Sequence, residues 1–298
     1  MPSAKIKTKD EPLIGAHMSI AGGAYNALLH AEKADCRTVQ LFNKSSNQWA
    51  AKPLSTEEID RFHAEAERTQ IKPCVSHTAY LINCGSPDRA LYKKSVTALA
   101  VEYDRCCKLG LDYLVMHPGA HIGSGLENGI NRIGAALNKV LEKYATGGTT
   151  ICLEAVAGAG STIGRTFEEL QAILAQIEDQ SRVGVCLDTC HIFAAGYDIR
   201  TRGAYQSTMA VFDRVIGLER LKVWHLNDCK GELGSHRDRH EHLGRGHLGE
   251  RAFHFLMRDA RFRGVPKILE TPKEEDGRAM DPVNLALLRK LARRAAKK

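Results

Sequence analysis

The sequence predicts an α/β fold of one domain, a (β/α)8 TIM barrel with its active site at the C-terminal ends of the strands. Three observations predict this fold. Eight short apolar runs alternate with stretches of helical periodicity, no Gly-, Pro- or Ser-rich linker interrupts the order, and the runs are too continuously apolar for strands with one wet face. An open, doubly wound sheet is the structural alternative.

The predicted elements follow one another along the chain. Residues 1–12 are polar and without periodicity, which is typical of a flexible tail, and the barrel domain is expected to cover residues 13–298. Two helices begin with capping boxes, Ser55 with Glu58 and Thr166 with Glu169, and the last helix begins at Asp281. The connection 229–249 is long, irregular and rich in histidine. The eight predicted strands are residues 13–18, 38–42, 72–78, 113–119, 150–155, 183–189, 222–228 and 267–271.

Composition excludes several classes of protein. Of 298 residues, 43% are hydrophobic and 26% are charged, which excludes a disordered or collagen-like chain, and no apolar run approaches the roughly 18 residues of a membrane helix. The net charge of +7 permits a polyanionic partner without requiring one. Nine cysteines and no secretory signal indicate a reducing compartment, so we expect a cytoplasmic protein, associated with the nucleoid if it is bacterial.

The third to eighth apolar runs share one property: each ends in a residue able to bind a metal ion. The C-terminal ends of barrel strands converge on one face, so these side chains would meet there. Several buried carboxylates without a countercharge repel one another, and lysine and arginine are absent from these strand ends, so a cation is expected among them. The six residues are His77, His117, Glu154, Asp188, His225 and Glu270.

Two loop segments add three more candidates. His191 stands three residues after Asp188, and Asp238 and His240 occupy alternate positions of an extended segment. Imidazole and carboxylate ligands without thiolates favour zinc, with manganese or iron next, and nine ligands are too many for one tetrahedral ion. Two or three clustered ions generate hydroxide from water and stabilise both oxygens of a displacement at phosphorus. Phosphodiester hydrolysis is therefore the leading reaction class.

Several motifs, taken in order, resemble the endonuclease IV type of apurinic/apyrimidinic endonuclease, over nearly the whole chain from Ile14 to Thr271. The most specific are Ser76-His77 with Tyr80-Leu81-Ile82-Asn83, His117-Pro118-Gly119, Leu187-Asp188-Thr189-Cys190-His191, His225-Leu226-Asn227-Asp228, and Asp238-Arg239-His240 with Leu243-Gly244 and Gly246.

The resemblance implies a three-zinc enzyme that cleaves duplex DNA on the 5′ side of an abasic site, leaving a 3′-hydroxyl and a 5′-deoxyribose phosphate, and that also removes 3′-blocking groups. One ion would be held by His77, His117 and Glu154. A second would be held by Asp188, His225, Glu270 and the same Glu154, which is the bridging, catalytic residue. The third would be held by His191, Asp238 and His240. At one site manganese or iron is the alternative to zinc.

The resemblance also implies a substrate, double-stranded DNA containing abasic sites, and no membrane partner; we expect a monomer. Tyr80 and Leu81 match side chains that the family inserts into the duplex, and Gln48 matches a residue near the minor groove. Asn47 and Arg239 complete the expected DNA contacts, although Asn47 stands where the family often has arginine. Ala155 replaces the asparagine that usually follows the bridging glutamate, so an outer hydrogen bond to the ligands is expected to be missing.

Two other functions remain open from the sequence. A metal-dependent sugar isomerase or epimerase would share the barrel and the strand-end ligands, but it would need only one or two ions, which the apparent third-ion motif at Asp238–His240 disfavours. A DNA-lesion binding protein without turnover is disfavoured by the complete set of nine candidate ligands.

Overall fold

Eight short apolar segments form parallel strands in the computed structural model, which describes residues 11–293. Their positions agree with the eight predicted runs to within three residues at each end. The fold prediction is therefore confirmed. The strands are β1 (Ile14–Met18), β2 (Thr38–Phe42), β3 (Cys74–His77), β4 (Tyr113–Met116), β5 (Thr150–Glu154), β6 (Val183–Asp188), β7 (Leu221–His225) and β8 (Lys267–Leu269).

The strands close into a barrel in which each strand pairs in parallel with its neighbours in sequence, and β8 pairs with β1. The register places Glu154 beside Cys186 and Asp188 beside His225 at the C-terminal ends. An open sheet would leave β1 and β8 as edges, and the pairing of Ile14 with Lys267 excludes it. The strand ends that carry polar residues therefore share one face of the molecule.

Helices follow the strands and cover the barrel. Ser55 and Glu58 form the predicted capping box, with both reciprocal hydrogen bonds present. At Thr166 the box is only half formed: the threonine side chain accepts from the Glu169 amide, but Glu169 accepts from the amides of Gly164 and Arg165 instead. The helices are α1 (Tyr25–Lys33), α2 (Thr56–Thr69), α3 (Arg89–Leu109), α4 (Leu126–Lys143), α5 (Phe167–Leu174), α6 (Thr189–Ala195), α7 (Arg202–Val215), α8 (Gly249–Arg258) and α9 (Asp281–Ala292).

The barrel interior is a small cluster of side chains, separate from the larger core between the strands and the helices. Six strands contribute one residue each, and because successive residues of a strand face opposite sides, the residue two positions later faces inward again. In β3 to β8 that later residue is the strand-end histidine, aspartate or glutamate. The interior residues are Val75, Val115, Cys152, Cys186, Val223 and Ile268.

Cysteine acts here as a small apolar residue. All nine cysteines are free, and all except Cys107 are buried. Cys152 and Cys186 fill the barrel interior, as their places in apolar runs predicted.

The long connection after β7 is irregular apart from one short pairing, in which Asp228–Cys229 runs antiparallel to His240–Glu241. Of the predicted tail, only Glu11 and Pro12 belong to the described residues, and the domain boundary at residue 13 remains a prediction. Among residues 11–293, no helix combines the length and the hydropathy required to cross a membrane.

Candidate metal centre

The six strand-end candidates lie together at the C-terminal face of the barrel. Four are the last residues of their strands, and His117 and Glu270 directly follow β4 and β8. His191 is in the first turn of α6, and Asp238 and His240 come from the connection after β7. We call these nine residues the donor cluster. Among the described residues, every ion pair of the cluster is made with histidine, aspartate or glutamate and none with lysine or arginine.

Glu154 is the centre of the cluster and is fully buried. Its Oε2 lies 3.0 Å from His77 Nε2 and 3.2 Å from His117 Nε2. Its Oε1 lies 2.9 Å from His225 Nδ1 and 3.2 Å from His191 Nδ1. Burial alone would raise the pKa of Glu154, but the surrounding histidines hold that pKa well below its usual value. The carboxylate is therefore anionic and has one oxygen toward each half of the cluster.

Asp188, His225 and Glu270 form a second group with Glu154, in which one atom from each residue lies within 4.8 Å of the others. His225 Nδ1 is 3.3 Å from Glu270 Oε2 and 3.9 Å from Asp188 Oδ2. Burial disfavours the imidazolium, but Glu270 and Glu154 outweigh it and raise the pKa of His225 to about 9. The carboxylates therefore attract positive charge to this position.

The third group contains His191, Asp238 and His240. His191 Nε2 and His240 Nε2 each lie 3.2 Å from an oxygen of Asp238. Both ring nitrogens are buried, and within residues 11–293 neither has a hydrogen-bond partner. Buried polar atoms without a partner are rare and call for an explanation such as an ion. Two buried nitrogens that make no hydrogen bond and face one carboxylate fit a divalent cation. The three donor groups match the three sets that the resemblance implies.

Two thiols lie near the cluster. Cys186 is close to Glu154 and His225, and Cys190 is close to Asp188 and His240. Burial raises the pKa of Cys186 well above its usual value, and Glu154 adds to the effect. This thiol therefore stays protonated and acts as an apolar residue beneath the donor cluster. The donor chemistry remains that of nitrogen and oxygen, which zinc, manganese and iron accept.

Sequence reasoning missed two polar residues in this site, because neither ends its apolar run. Gln40 of β2 donates from Nε2 to Glu270 Oε1 over 2.5 Å, and its Oε1 lies 2.7 Å from His225 Nε2. His17 of β1 lies 3.7 Å from the same Glu270 oxygen. The available signal was a polar residue, His17 or Gln40, within each of the first two apolar runs.

Outer hydrogen bonds orient the cluster despite the alanine at position 155. The backbone carbonyl of Ala155 lies 2.9 Å from His191 Nδ1, a contact that requires no side chain. Asn227 donates to Asp188 Oδ2 over 2.6 Å and accepts from the Glu270 amide. The expected gap in the outer hydrogen bonds is therefore partly filled from the loop after β7.

The predicted DNA contacts surround this site on exposed loops. Tyr80 is 66% exposed, and its ring packs edge-on against Phe42, with ring centroids 5.5 Å apart. Its neighbour Leu81 is half-buried. Asn47, Gln48 and Arg239 are exposed.

The loop that carries Tyr80 is fixed at its far end by Asn83. The Asn83 Oδ1 accepts from the amides of Gly85 and Ala120, at 3.0 and 2.8 Å. Gly119, with φ of 131°, passes so close that a Cβ there would lie 2.6 Å from this oxygen. Asn83 and Gly119, both motif residues, thus hold the loops after β3 and β4 together.

Comparisons with known proteins agree with this arrangement. A family model described as a xylose isomerase-like TIM barrel matches residues 28–291. A Chloroflexus aggregans protein named probable endonuclease 4 is 48% identical over 282 residues, which make up 95% of this chain and 98% of that protein. The crystal structure of endonuclease IV from Thermus thermophilus matches with a TM-score of 0.83 and 35% identity, over 94% of this chain and 98% of that one. A D-tagatose 3-epimerase-like protein matches with a TM-score of 0.71 and 17% identity, over 93% and 96%, which is a likeness of fold alone.

The closed barrel and the acidic and imidazole groups at its strand ends define a xylose isomerase-like barrel enzyme. Identity near one half over almost the full length is decisive within that class. The chain belongs to the endonuclease IV family, and with it to the hydrolases classed as deoxyribonuclease IV.

Proposed function

We propose that this protein is a zinc-dependent DNA repair endonuclease, which hydrolyses the phosphodiester bond 5′ to an abasic site in duplex DNA and leaves a 3′-hydroxyl and a 5′-deoxyribose phosphate. Removal of 3′-blocking groups is part of the proposal, because it is the same hydrolysis at a strand end. The observation that carries the proposal is the convergence of nine imidazole and carboxylate side chains into three groups. Two groups share Glu154, and the third lies next to it, with His191 Nδ1 3.2 Å from Glu154 Oε1.

The residues that would hold the ions follow from the three groups. His77, His117 and Glu154 would hold one ion, and Glu154, Asp188, His225 and Glu270 a second. His191, Asp238 and His240 would hold a third. Bound divalent ions would supply activated water at neutral pH and charge stabilisation for the attacking and leaving oxygens at phosphorus.

The protein side chains supply position and charge. Glu154 is kept ionised by its histidine neighbours, so it can join two ligand groups without first losing a proton. Gln40 and Asn227 hold Glu270 and Asp188 by hydrogen bonds, which limits the rotation of both carboxylates. A preorganised site of this kind does not have to reorganise when charge develops at phosphorus.

The surrounding loops support a duplex substrate. Tyr80 stands exposed beside the donor cluster, where an aromatic ring could enter the helix at a position that lacks a base. Gln48, Asn47 and Arg239 are exposed on neighbouring loops and available to the phosphate backbone and the minor groove. We propose that the protein acts as a monomer, in the cytoplasm, on chromosomal DNA.

Sugar epimerases share the fold alone, and epimerisation is the competing activity against which the proposal is tested. The third donor group, with two buried ring nitrogens that make no hydrogen bond, favours the nuclease, because an epimerase requires no third ion.

The test uses a duplex with one tetrahydrofuran abasic analogue, labelled at the 5′ end of the damaged strand. We expect a single nick 5′ to the analogue, its loss after dialysis against a chelator, and its return with added zinc. An undamaged duplex of the same sequence is the matched control. An intact damaged strand at every concentration of the zinc-loaded protein would reject the nuclease, and epimerisation of a ketose by the same preparation would support the competing activity.

A further inference from the structure

A buried ion pair lies beneath the two loops that carry the proposed DNA contacts. Lys44, in the loop after β2, is 5% exposed, and Glu102, in the middle of α3, is 1% exposed. The Lys44 Nζ is 3.2 Å from Glu102 Oε1. Neither side chain belongs to the donor cluster.

On one side, Lys44 organises the loop that carries Asn47 and Gln48. Its ammonium group donates to the backbone carbonyls of Ser45, at 3.2 Å, and Gln48, at 2.5 Å. The loop therefore folds around a buried positive charge, and the Lys44 ammonium group holds Gln48 by its backbone carbonyl.

On the other side, Glu102 holds the loop that carries Tyr80. Both carboxylate oxygens accept from the Ala79 amide, at 3.1 and 3.3 Å. The backbone carbonyl of Glu102 also accepts from the Asn43 side-chain amide at 2.9 Å. One residue of α3 thus has direct contacts with both loops, immediately before Tyr80 and immediately before Lys44.

Burial of such a pair does little for stability by itself, because the loss of hydration of both charges offsets their attraction. Removal of one partner leaves an unpaired buried charge and frees the groups that it held. The pair therefore contributes little to the free energy of folding. Because it joins two separate loops, its main effect is to define their relative position. Phe42, at the end of β2, packs against Tyr80 across the same gap.

We propose that Lys44 and Glu102 are positioning residues that fix the loop of Gln48 and the loop of Tyr80 relative to each other, so that both engage abasic DNA as one unit. This inference rests on the proposed function of the site. Neither residue touches the reacting atoms.

The test compares Lys44→Met, Glu102→Gln and the double variant with the wild type. We expect each single variant to raise the KM for the abasic duplex about tenfold while kcat changes less than threefold. Hydrolysis of bis(4-nitrophenyl) phosphate, a small diester that needs neither loop, should stay unchanged. The double variant should be no worse than either single variant, because both remove the same connection. Lys108→Met is the matched control, since it breaks the exposed pair with Asp104 on the same helix.

Hydrogen exchange provides a second measurement. It distinguishes a connection between the two loops from an effect confined to the loop of Lys44. In Lys44→Met, the amide of Ala79 should exchange faster even though Lys44 does not contact it. If the substitutions prevent folding, hydrogen exchange in the wild type still tests the proposal. An Ala79 amide of the wild type that exchanges as fast as in an unfolded chain would overturn it. An unchanged KM in folded variants would also overturn it. Failure of the wild type to nick abasic DNA is a separate result and rejects the proposed function itself.

Discussion

Gln40 donates a hydrogen bond to Glu270 over 2.5 Å, so a strand that ends in phenylalanine controls a carboxylate at the end of another strand. The other end of the same amide faces His225. A carboxamide can do both at once because it has a donor and an acceptor on one planar group. Gln40 therefore sets the relative orientation of two proposed ligands, Glu270 and His225.

Gln40→Leu is expected to weaken zinc binding about 10- to 100-fold, since the two outer hydrogen bonds are lost and the side-chain volume is nearly kept. Competition with a chromophoric chelator measures this affinity. Gln176→Leu is the control, because Gln176, in the turn after α5, donates a hydrogen bond to Asn131 of α4. Equal zinc affinity in wild type and Gln40→Leu would remove Gln40 from the site.

Glu154→Gln should leave binding of the abasic duplex nearly unchanged and reduce turnover at least about a hundredfold, because an amide is a poor bridging ligand. Fluorescence anisotropy measures the binding, and single-turnover nicking measures the rate. The exposed Glu178→Gln should behave as wild type. Undiminished nicking by Glu154→Gln would show that the central carboxylate does not bridge.

Asp228 predicts a stability effect. Its carboxylate accepts from the backbone amides of Cys229, Leu248, Gly244 and Gly249, at 2.8, 2.9, 2.8 and 3.2 Å. In Asp228→Asn, two of these donors would face an NH2 group, so the free energy of unfolding should fall by about 2 kcal/mol. Urea unfolding measures it, with Asp213→Asn as control, since Asp213 accepts from one exposed amide. A loss no larger than in the control would contradict this prediction.

Lys267 predicts a pH effect. Burial lowers the pKa of Lys267 to about 8, and its ammonium donates to the carbonyls of Phe262 and Val265. Because the folded pKa lies below the unfolded one, the unfolded chain binds more protons, and stability rises with pH between about 8 and 10.5. Relative to Lys267→Met, the wild type should gain about 2 kcal/mol from pH 7 to pH 10. Urea unfolding of both proteins at both pH values, with equal zinc content, measures this gain. A difference in the free energy of unfolding between wild type and Lys267→Met that stayed constant with pH would contradict the prediction.

The strand-end candidates could be predicted because each is a metal-binding type of residue at or near the C-terminal end of an apolar run, a pattern visible in the sequence. The same rule failed for β2, whose run ends in Phe42, and for β1, whose run ends in Met18. In β1 the inward-facing polar residue is His17, one residue before the end of the strand. In β2 it is Gln40, two residues before Phe42, which faces the same side but carries no donor atom. Only the register of the closed barrel reveals which residues of a strand face the interior.

Contacts between distant segments could not be predicted. No residue near Lys44 in the sequence indicates that Glu102 is its partner. From the sequence alone, a buried lysine in a polar loop cannot be distinguished from a solvent-exposed one. Glu169 shows a smaller case: its spacing from Thr166 is that of a capping box, but nearby amides of Gly164 and Arg165 compete for its carboxylate. Several amides within a few residues can satisfy the same carboxylate, and the spacing of a capping box does not choose among them.

The alternation inside the barrel has a consequence for assembly. Each donor of β3 to β8 lies two residues beyond an interior residue, so displacement of any one of these strands by a single residue would turn its donor toward the helices. A molecule with an incorrect strand register would therefore also lack a complete donor cluster. The fraction of active molecules in a refolded sample would report how many barrels closed in native alignment.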